Sequence, residues 1–393
     1  MSCLEPRPRI KNGNHDFFDV ALPPAIALGW FVHQKRIGVL TSGGDCPGLN
    51  AVLHGVVSAA TTRGFEVLGF FDGYEGLLNP VRYQRLDAVS VAHISHLGGT
   101  ILGTTNRGRF VAKVGAGKKS LIPREILQQA RETYLGLGLH ALVCIGGDGS
   151  LSTSLQLQQA GVNVVGVPKT IDNDILATAS TFGFDSAISC VVDSLDRLHT
   201  TARSHKRIMV VETMGRHAGW IALHGGLAGA ADVILIPEIP FHFSRIADFA
   251  KERTSSGLPS TMIVVAEGAH PAKGRISTLK NTPQVPGEVR LGGIGDSVAR
   301  EIEKRTGQES RHVVLGHLQR GGNPTALDRI LGTRFGVGAV ELIKKKKFGH
   351  MVSYQNYEIG GVPIAQAVAR IRTVPPKGQL VQTAREIGIC FGD

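Results

Sequence analysis

The chain has 393 residues, 42% of them hydrophobic, and 50 glycines; it can bury a large core and is too long for one ordinary compact domain, so two domains are expected. Its formal charge of +11 comes from scattered Lys and Arg with no aromatic-interleaved basic stripe, which argues against a nucleic-acid partner and for a phosphorylated small substrate. No apolar run is long enough to span a bilayer, since Val20 to Val32 is broken by Pro23 and Pro24, and the cysteines show no CxxC spacing; no membrane partner and a reducing, cytoplasmic location are expected.

Residues 1–34 mix Pro, Asn, Gly and charge without periodicity and read as an appended N-terminal arm. From Lys35 onward, β-branched runs alternate with helical patterns. Arg36 to Leu40 reads as a strand, Asn50 to Thr61 as a helix and Phe65 to Phe70 as a second strand. His140 to Ile145, helical Ser150 to Gln159, and Val162 to Val167 continue the alternation, and Pro168 ends that strand. Arg207 to Val211, Asp232 to Ile236, Thr261 to Val265 and His312 to Leu315 are further buried-strand candidates. The basic run Lys344 to Lys347 reads as a solvated helix C-terminus. The expected architecture is two packed α/β domains with a cleft between them and ligands at the carboxyl ends of the strands.

Three strand ends carry chemistry-bearing residues. The first, Thr41-Ser42-Gly43-Gly44-Asp45, leads into a helix, where backbone amides and the helix dipole can meet a phosphate. It is neither a Walker A loop nor a GxGxxG fingerprint, and taken alone it fits a tight structural turn as well as a phosphate site. The second, Ile145-Gly146-Gly147-Asp148-Gly149-Ser150, offers Asp148 as an Mg²⁺ ligand, although taken alone it reads rather as the cap of a helix beginning at Ser150. The third, Lys169-Thr170-Ile171-Asp172-Asn173-Asp174, sets two carboxylates beside a lysine, fitting a general base or an Asx-rich surface turn. Three such ends in one half of the chain point to a shared site.

These segments, in this order, resemble the central motifs of the phosphofructokinase family. Met214-Gly215-Arg216, Glu267, Arg311 and Gly316-His317-Leu318-Gln319-Arg320-Gly321-Gly322 are similar to its sugar-phosphate segments. The resemblance implies two Rossmann-like three-layer α/β domains. Residues 35–183 and 321–370 would bind the phosphoryl donor, and 184–320 with 371–393 the sugar phosphate. It further implies a phosphotransferase with an alcohol acceptor, moving the terminal phosphate of ATP to the 1-hydroxyl of fructose 6-phosphate with Mg²⁺ in the committed step of glycolysis.

By the same resemblance, Asp172 is the catalytic base, Thr170 contacts the reacting groups and Asp174 supports them. Arg216 offsets charge on the transferred phosphoryl oxygens. Gly44, Arg107, Gly147, Asp148, Gly149 and Ser150 hold the nucleotide, with Asp148 on the metal. Ile171, Met214, Gly215, Glu267, His317, Leu318, Gln319 and Arg320 belong to the sugar-phosphate side. Arg207 and Arg311 match a pair that reaches the 6-phosphate from a neighbouring subunit, so a homo-oligomer, dimer or tetramer, is implied.

Donor choice rests on Gly149, which matches ATP users and leaves room for the α-phosphate, and on Lys169, which matches pyrophosphate users. ATP is the expected donor and pyrophosphate the alternative. A sugar-phosphate-binding regulatory protein is the non-enzyme alternative, opposed by the joint presence of Asp148, Asp172 and Arg216. The family is allosteric, but His54, Ser58 and His199 stand where its effector pocket has arginines, so regulation is expected to be altered, absent or redirected.

Overall fold

The computed structural model describes residues 35–105, 108–110, 121–274 and 292–393; the N-terminal arm and Arg107 lie outside them. In chain order the main elements are β1 (Arg36–Thr41), α1 (Leu49–Thr62), β2 (Glu66–Phe70), β3 (Tyr83–Leu86), α2 (Arg124–Gly136), β4 (Leu139–Gly146), α3 (Asp148–Gln159) and β5 (Val164–Pro168). There follow α4 (Phe184–His205), β6 (Ile208–Thr213), α5 (Trp220–Ala228), β7 (Val233–Leu235), α6 (Phe243–Ser255), β8 (Thr261–Ala266) and α7 (Ile294–Thr306). The chain continues through β9 (Ser310–Val314), α8 (Ala326–Lys344), β10 (His350–Gln355) and β11 (Glu358–Pro363).

Two sheets form among the described residues. The larger runs β11-β10-β5-β4-β1-β2-β3, with parallel pairing at its centre and antiparallel pairs, β2–β3 and β10–β11, at its edges. The smaller runs β7-β8-β6-β9 and is parallel throughout. Parallel strands covered on both faces must be apolar on both, which is why Ile37, Val39 and Leu40 of β1 and Ala141 to Ile145 of β4 are essentially fully buried. Helices α1 and α8 approach closely through glycine: a Cβ at Gly55 would overlap the Thr333 carbonyl, and one at Gly336 the backbone of Val52.

Register positions the site. Thr41 pairs with Ile145 and Gly146 with Pro168, so β1, β4 and β5 end side by side. The order reverses at β1, whose neighbours are β4 and β2, and an open α/β sheet has its binding crevice at such a point. In the small sheet Thr213 pairs with Ala266, so the segments after β6 and β8 also leave together. The strands read from sequence are present, shifted at their ends by a residue or two. The reading omits β3 and the β10–β11 hairpin. Of these, the edge strands β3 and β11 carry polar and glycine residues, YQRL and EIGGVP, where apolar periodicity is weak.

The described cysteines are free, with Cys46 and Cys144 buried as small hydrophobes. Lys344 to Lys347 are exposed at the end of α8, as expected. Among the described residues no helix is long and apolar enough to cross a membrane.

Candidate active site

A cavity of about 260 Å³ lies where β1, β4 and β5 end, lined by Ser42, Gly43, Gly44, Gly147 to Ser150, Lys169, Thr170, Asp172, Asp174 and Arg320. The turn after β1 is pinned at both sides: the Ser42 amide donates to the Ile145 carbonyl at 2.9 Å and the Gly43 amide to the Thr105 carbonyl at 3.1 Å. Gly43 has φ +84°, where a side chain is strained. Gly44 sits under the Arg320 guanidinium, whose Nη1 is 3.0 Å from where a Gly44 Cβ would stand and donates to the Asp45 carbonyl at 3.1 Å.

Helix α3 begins at Asp148 with Gly147 as its N-cap and no side-chain capping bond. The capping alternative for Asp148 therefore fails: its carboxylate lies in the first helical turn, on the cavity wall. The first-turn amides of a helix have no intrahelical acceptor, so Asp148, Gly149 and Ser150 present N–H groups where an anion would be stabilised. Ser150 Oγ donates to Ser42 Oγ at 3.1 Å, joining the two turns.

After β5 the loop turns sharply. Asn173 has φ +52°, a left-handed conformation that asparagine tolerates, and its Oδ1 accepts from the Thr181 amide at 3.2 Å. That turn leaves Asp172 and Asp174 on the same cavity. Asp172 Oδ1 is buried with no hydrogen-bond partner. Burial raises the Asp172 pKa, and Asp148 adds to the rise against Arg320 and Lys169. Burial, then Asp172, then Asp148 push Asp174 up to about 7. Lys169 is 4% exposed and donates its ammonium to the Gly44 carbonyl; burial lowers its pKa.

The segments after β6 and β8 of the small sheet carry the next candidates, Arg216 and Glu267. Gly215 has φ +128°, and a Cβ on Gly268 would overlap the Arg216 carbonyl, so the backbone there is closely packed. Arg216 Nε is buried and unpartnered. Glu267 follows β8; burial, then Asp172 and Glu212, push it to about 7 against Arg216 and Arg320. Asp172 and Glu267, from different sheets, are thus close enough to sense each other's charge.

Other expected residues lie elsewhere or act differently. Ile171 is fully buried in the core, so only its backbone can reach a ligand. Gln319, 1% exposed, accepts from the Met214 amide at 3.3 Å and donates to the Gly316 carbonyl at 3.1 Å, which holds two expected ligand segments together. His317 and Leu318 are exposed. Arg207 and Arg311 stand at the amino ends of β6 and β9, the ends opposite the cleft, and both pair with Glu309.

The sequence reading missed one wall of the cavity. Tyr74 donates to the Ser150 carbonyl at 2.7 Å and its ring lies 5.3 Å from Phe110; Glu75 accepts from the Arg109 amide and Nε. Lone aromatic and acidic residues in turns carry no periodic signal. His54 and Ser58 are half-buried on α1, and His199 Nε2 lies 2.8 Å from the Gly229 carbonyl, a partner within the fold.

Among the described residues no three His, Cys, Asp or Glu side chains are grouped to enclose a metal ion. Carboxylates beside a helix N-terminus instead fit Mg²⁺, which is held by one or two carboxylates together with substrate phosphates. The arrangement can bind a polyphosphate at the α3 N-terminus and remove a proton at Asp172.

Residues 36–343 match the family model described as Phosphofructokinase. The chain is 49% identical over 360 residues to the ATP-dependent 6-phosphofructokinase of Chloroflexus aurantiacus, covering 92% of this chain and 98% of that one. It is 45% identical over 359 residues to the pyrophosphate–fructose 6-phosphate 1-phosphotransferase of Streptomyces coelicolor, covering 91% and 100%. Its structure is similar to that of Pichia pastoris phosphofructokinase, with TM-score 0.75 and 30% identity, over 90% of this chain and 37% of the yeast chain.

Proposed function

The chain belongs to the phosphofructokinase family, and on that premise we propose the function its cleft supports best: transfer of the terminal phosphate of ATP to the 1-hydroxyl of fructose 6-phosphate, giving fructose 1,6-bisphosphate. The observation that carries it is Asp172, which lines the cavity and whose Oδ1 is buried and unpartnered. A carboxylate with a raised pKa is a better proton acceptor for a hydroxyl than a solvated one, and holding it in place supplies the orientation an in-line displacement needs. Arg216, with an unpartnered Nε, is the guanidinium that offsets charge on the transferred oxygens.

On this reading the α3 N-terminus and the Gly44 amide hold donor phosphates. Asp148 would hold Mg²⁺, which when bound neutralises phosphate charge. Residues 35–183 and 321–370 serve the donor, and 184–320 with 371–393 the sugar phosphate; the hydrogen bond from the Ile234 amide to the Cys390 carbonyl, 3.0 Å, supports counting the C-terminus with the small sheet. Glu267, Met214, His317 and Arg320 serve the sugar phosphate. Because Arg207 and Arg311 stand at strand ends opposite the chain's own cleft, they support completion of a neighbouring subunit's site in a homo-oligomer. A cytoplasmic location fits the free thiols, and regulation is directed away from an arginine-lined effector pocket.

Pyrophosphate as donor is the second reading, favoured by Lys169 in the cavity and by the Streptomyces relative. The test is fructose 1,6-bisphosphate formation with Mg²⁺ and ATP or pyrophosphate, for wild type and Asp172→Asn. Activity with ATP, lost in the variant, is the expected result. Activity with pyrophosphate alone reverses the donor assignment, and activity with neither sinks the enzyme reading.

A further inference from the structure

The loop carrying Asp172 and Asp174 is gripped from the far end of the chain. Arg372 donates from Nη1 to the Ala179 carbonyl at 3.0 Å, to the Thr178 carbonyl at 3.2 Å and to Asn173 Oδ1 at 3.4 Å. Its own amide donates to the Asp174 carbonyl at 2.8 Å. The same guanidinium lies over the Trp220 ring, 4.7 Å from its centroid, and Trp220 Nε1 donates to the Arg372 carbonyl at 3.0 Å. Trp220 opens α5, four positions beyond Arg216. Two residues further along, the Val374 amide donates to Glu238 Oε1 at 2.7 Å, an oxygen that also accepts from the Gly219 amide at 3.0 Å.

Residues 372–374 are therefore a strap with one side on the catalytic loop of the large sheet and the other on the start of α5 in the small sheet. The loop needs such a hold. Asn173 and Ala177 both have positive φ, at 52° and 60°, conformations that persist only when surrounding structure imposes them. The other side of the loop is held by β10, through the Ala179 amide to the Tyr354 carbonyl at 2.8 Å and Ser353 Oγ to the Ala177 carbonyl. Arg372 spans both sheets: its Nη1 is shared among three acceptors on one loop while its face covers an indole of the small sheet.

We infer that Arg372 is a positioning residue: it sets the distance between the Asp172 loop and the Arg216 turn, and so the placement of the base against the transferred phosphoryl group. The inference rests on the proposed kinase function. It predicts that loss of Arg372 lowers kcat more than it raises either KM, because ground-state contacts remain while the alignment needed only in the transition state is lost. Misplacement of about 1 Å is enough for an order of about 10 to 100 in rate.

The experiment compares wild type, Arg372→Gln and Arg372→Lys for kcat, both KM values and amide hydrogen exchange across residues 170–181. Arg372→Gln is expected to lose about 10-fold or more in kcat with KM changed less than about 3-fold, and Arg372→Lys, which keeps the charge but not the planar face over Trp220, to recover part of it. Faster exchange in 170–181 should accompany the loss. Unchanged kcat with only a lower melting temperature, or unchanged exchange in that loop, overturns the inference. If wild type itself forms no fructose 1,6-bisphosphate the kinase reading fails, and the exchange measurement still decides whether Arg372 holds the loop.

Discussion

The Lys169 ammonium reaches from the end of β5 to the Gly44 carbonyl at the end of β1, so one buried cation ties together the two turns between which a donor phosphate would lie. Replacing it with methionine removes a hydrogen bond and a buried charge at once. The lost bond and the relieved desolvation oppose each other, so the net change in stability should be small. Donor recognition has no such compensation, and KM for the nucleotide should rise about 10-fold or more. Thermal unfolding and initial rates on Lys169→Met check both; a large melting shift with unchanged KM would mean the lysine is only a structural tie.

Gly44 is the second point of control. A methyl group there meets the Arg320 guanidinium at 3.0 Å, and the arginine tip is flexible enough to move aside. Gly44→Ala should therefore fold normally while displacing Arg320 and crowding the phosphate, lowering kcat/KM by about 10-fold, about 1.4 kcal/mol of transition-state binding. Steady-state kinetics beside a melting curve separate this from a folding defect.

Glu267 supplies a pH dependence with a definite sign. Burial, then Asp172 and Glu212, raise its pKa to about 7, so the folded state holds its proton more tightly than the unfolded one. Its contribution is fully favourable below the unfolded value, about 4.3, and is lost as pH rises through about 7. Glu267→Gln should thus raise the melting temperature by about 2 °C or more near pH 8 and leave it little changed near pH 4. A shift of equal size at both pH values would show that the carboxylate's charge is not what costs stability.

Arg311 and Asp172 offer a test of subunit sharing. On the proposed function, Arg311→Ala should be severely impaired by loss of a charge-assisted phosphate contact and Asp172→Asn by loss of the base. If sites are shared, hybrids formed by mixing dissociated variants contain some intact sites, and activity should return to an appreciable fraction of wild type. No recovery in verified hybrids would place both residues in one subunit's site.

Much of this protein is readable in its strands and strand ends. Apolar β-branched runs buried on both faces require parallel sheets between helices, and Gly-Gly-Asp, Gly-Gly-Asp-Gly and Thr-Ile-Asp-Asn-Asp mark where those strands deliver backbone amides and carboxylates. Such signals are local, because strand formation, glycine turns and helix starts depend on residues a few positions apart. Edge strands such as Tyr83–Leu86, with one row of backbone groups facing solvent, lack the apolar signal and go unread.

What the tertiary structure alone decided is which side chain meets which partner across the fold. Ile171, between two residues of the cavity wall, points into the core; Gln319 braces Met214; Tyr74 and Phe110 build a cavity wall; Arg372, nearly 200 positions from Asn173, holds the Asp172 loop. None of these pairings has a sequence period, because each depends on chain closure over long separations. Family and strand ends are legible in the chain's local pattern, whereas the alignment of the candidate groups, and the raised pKa values of Asp172, Asp174 and Glu267, arise only when burial and neighbouring charge are imposed by packing two sheets together.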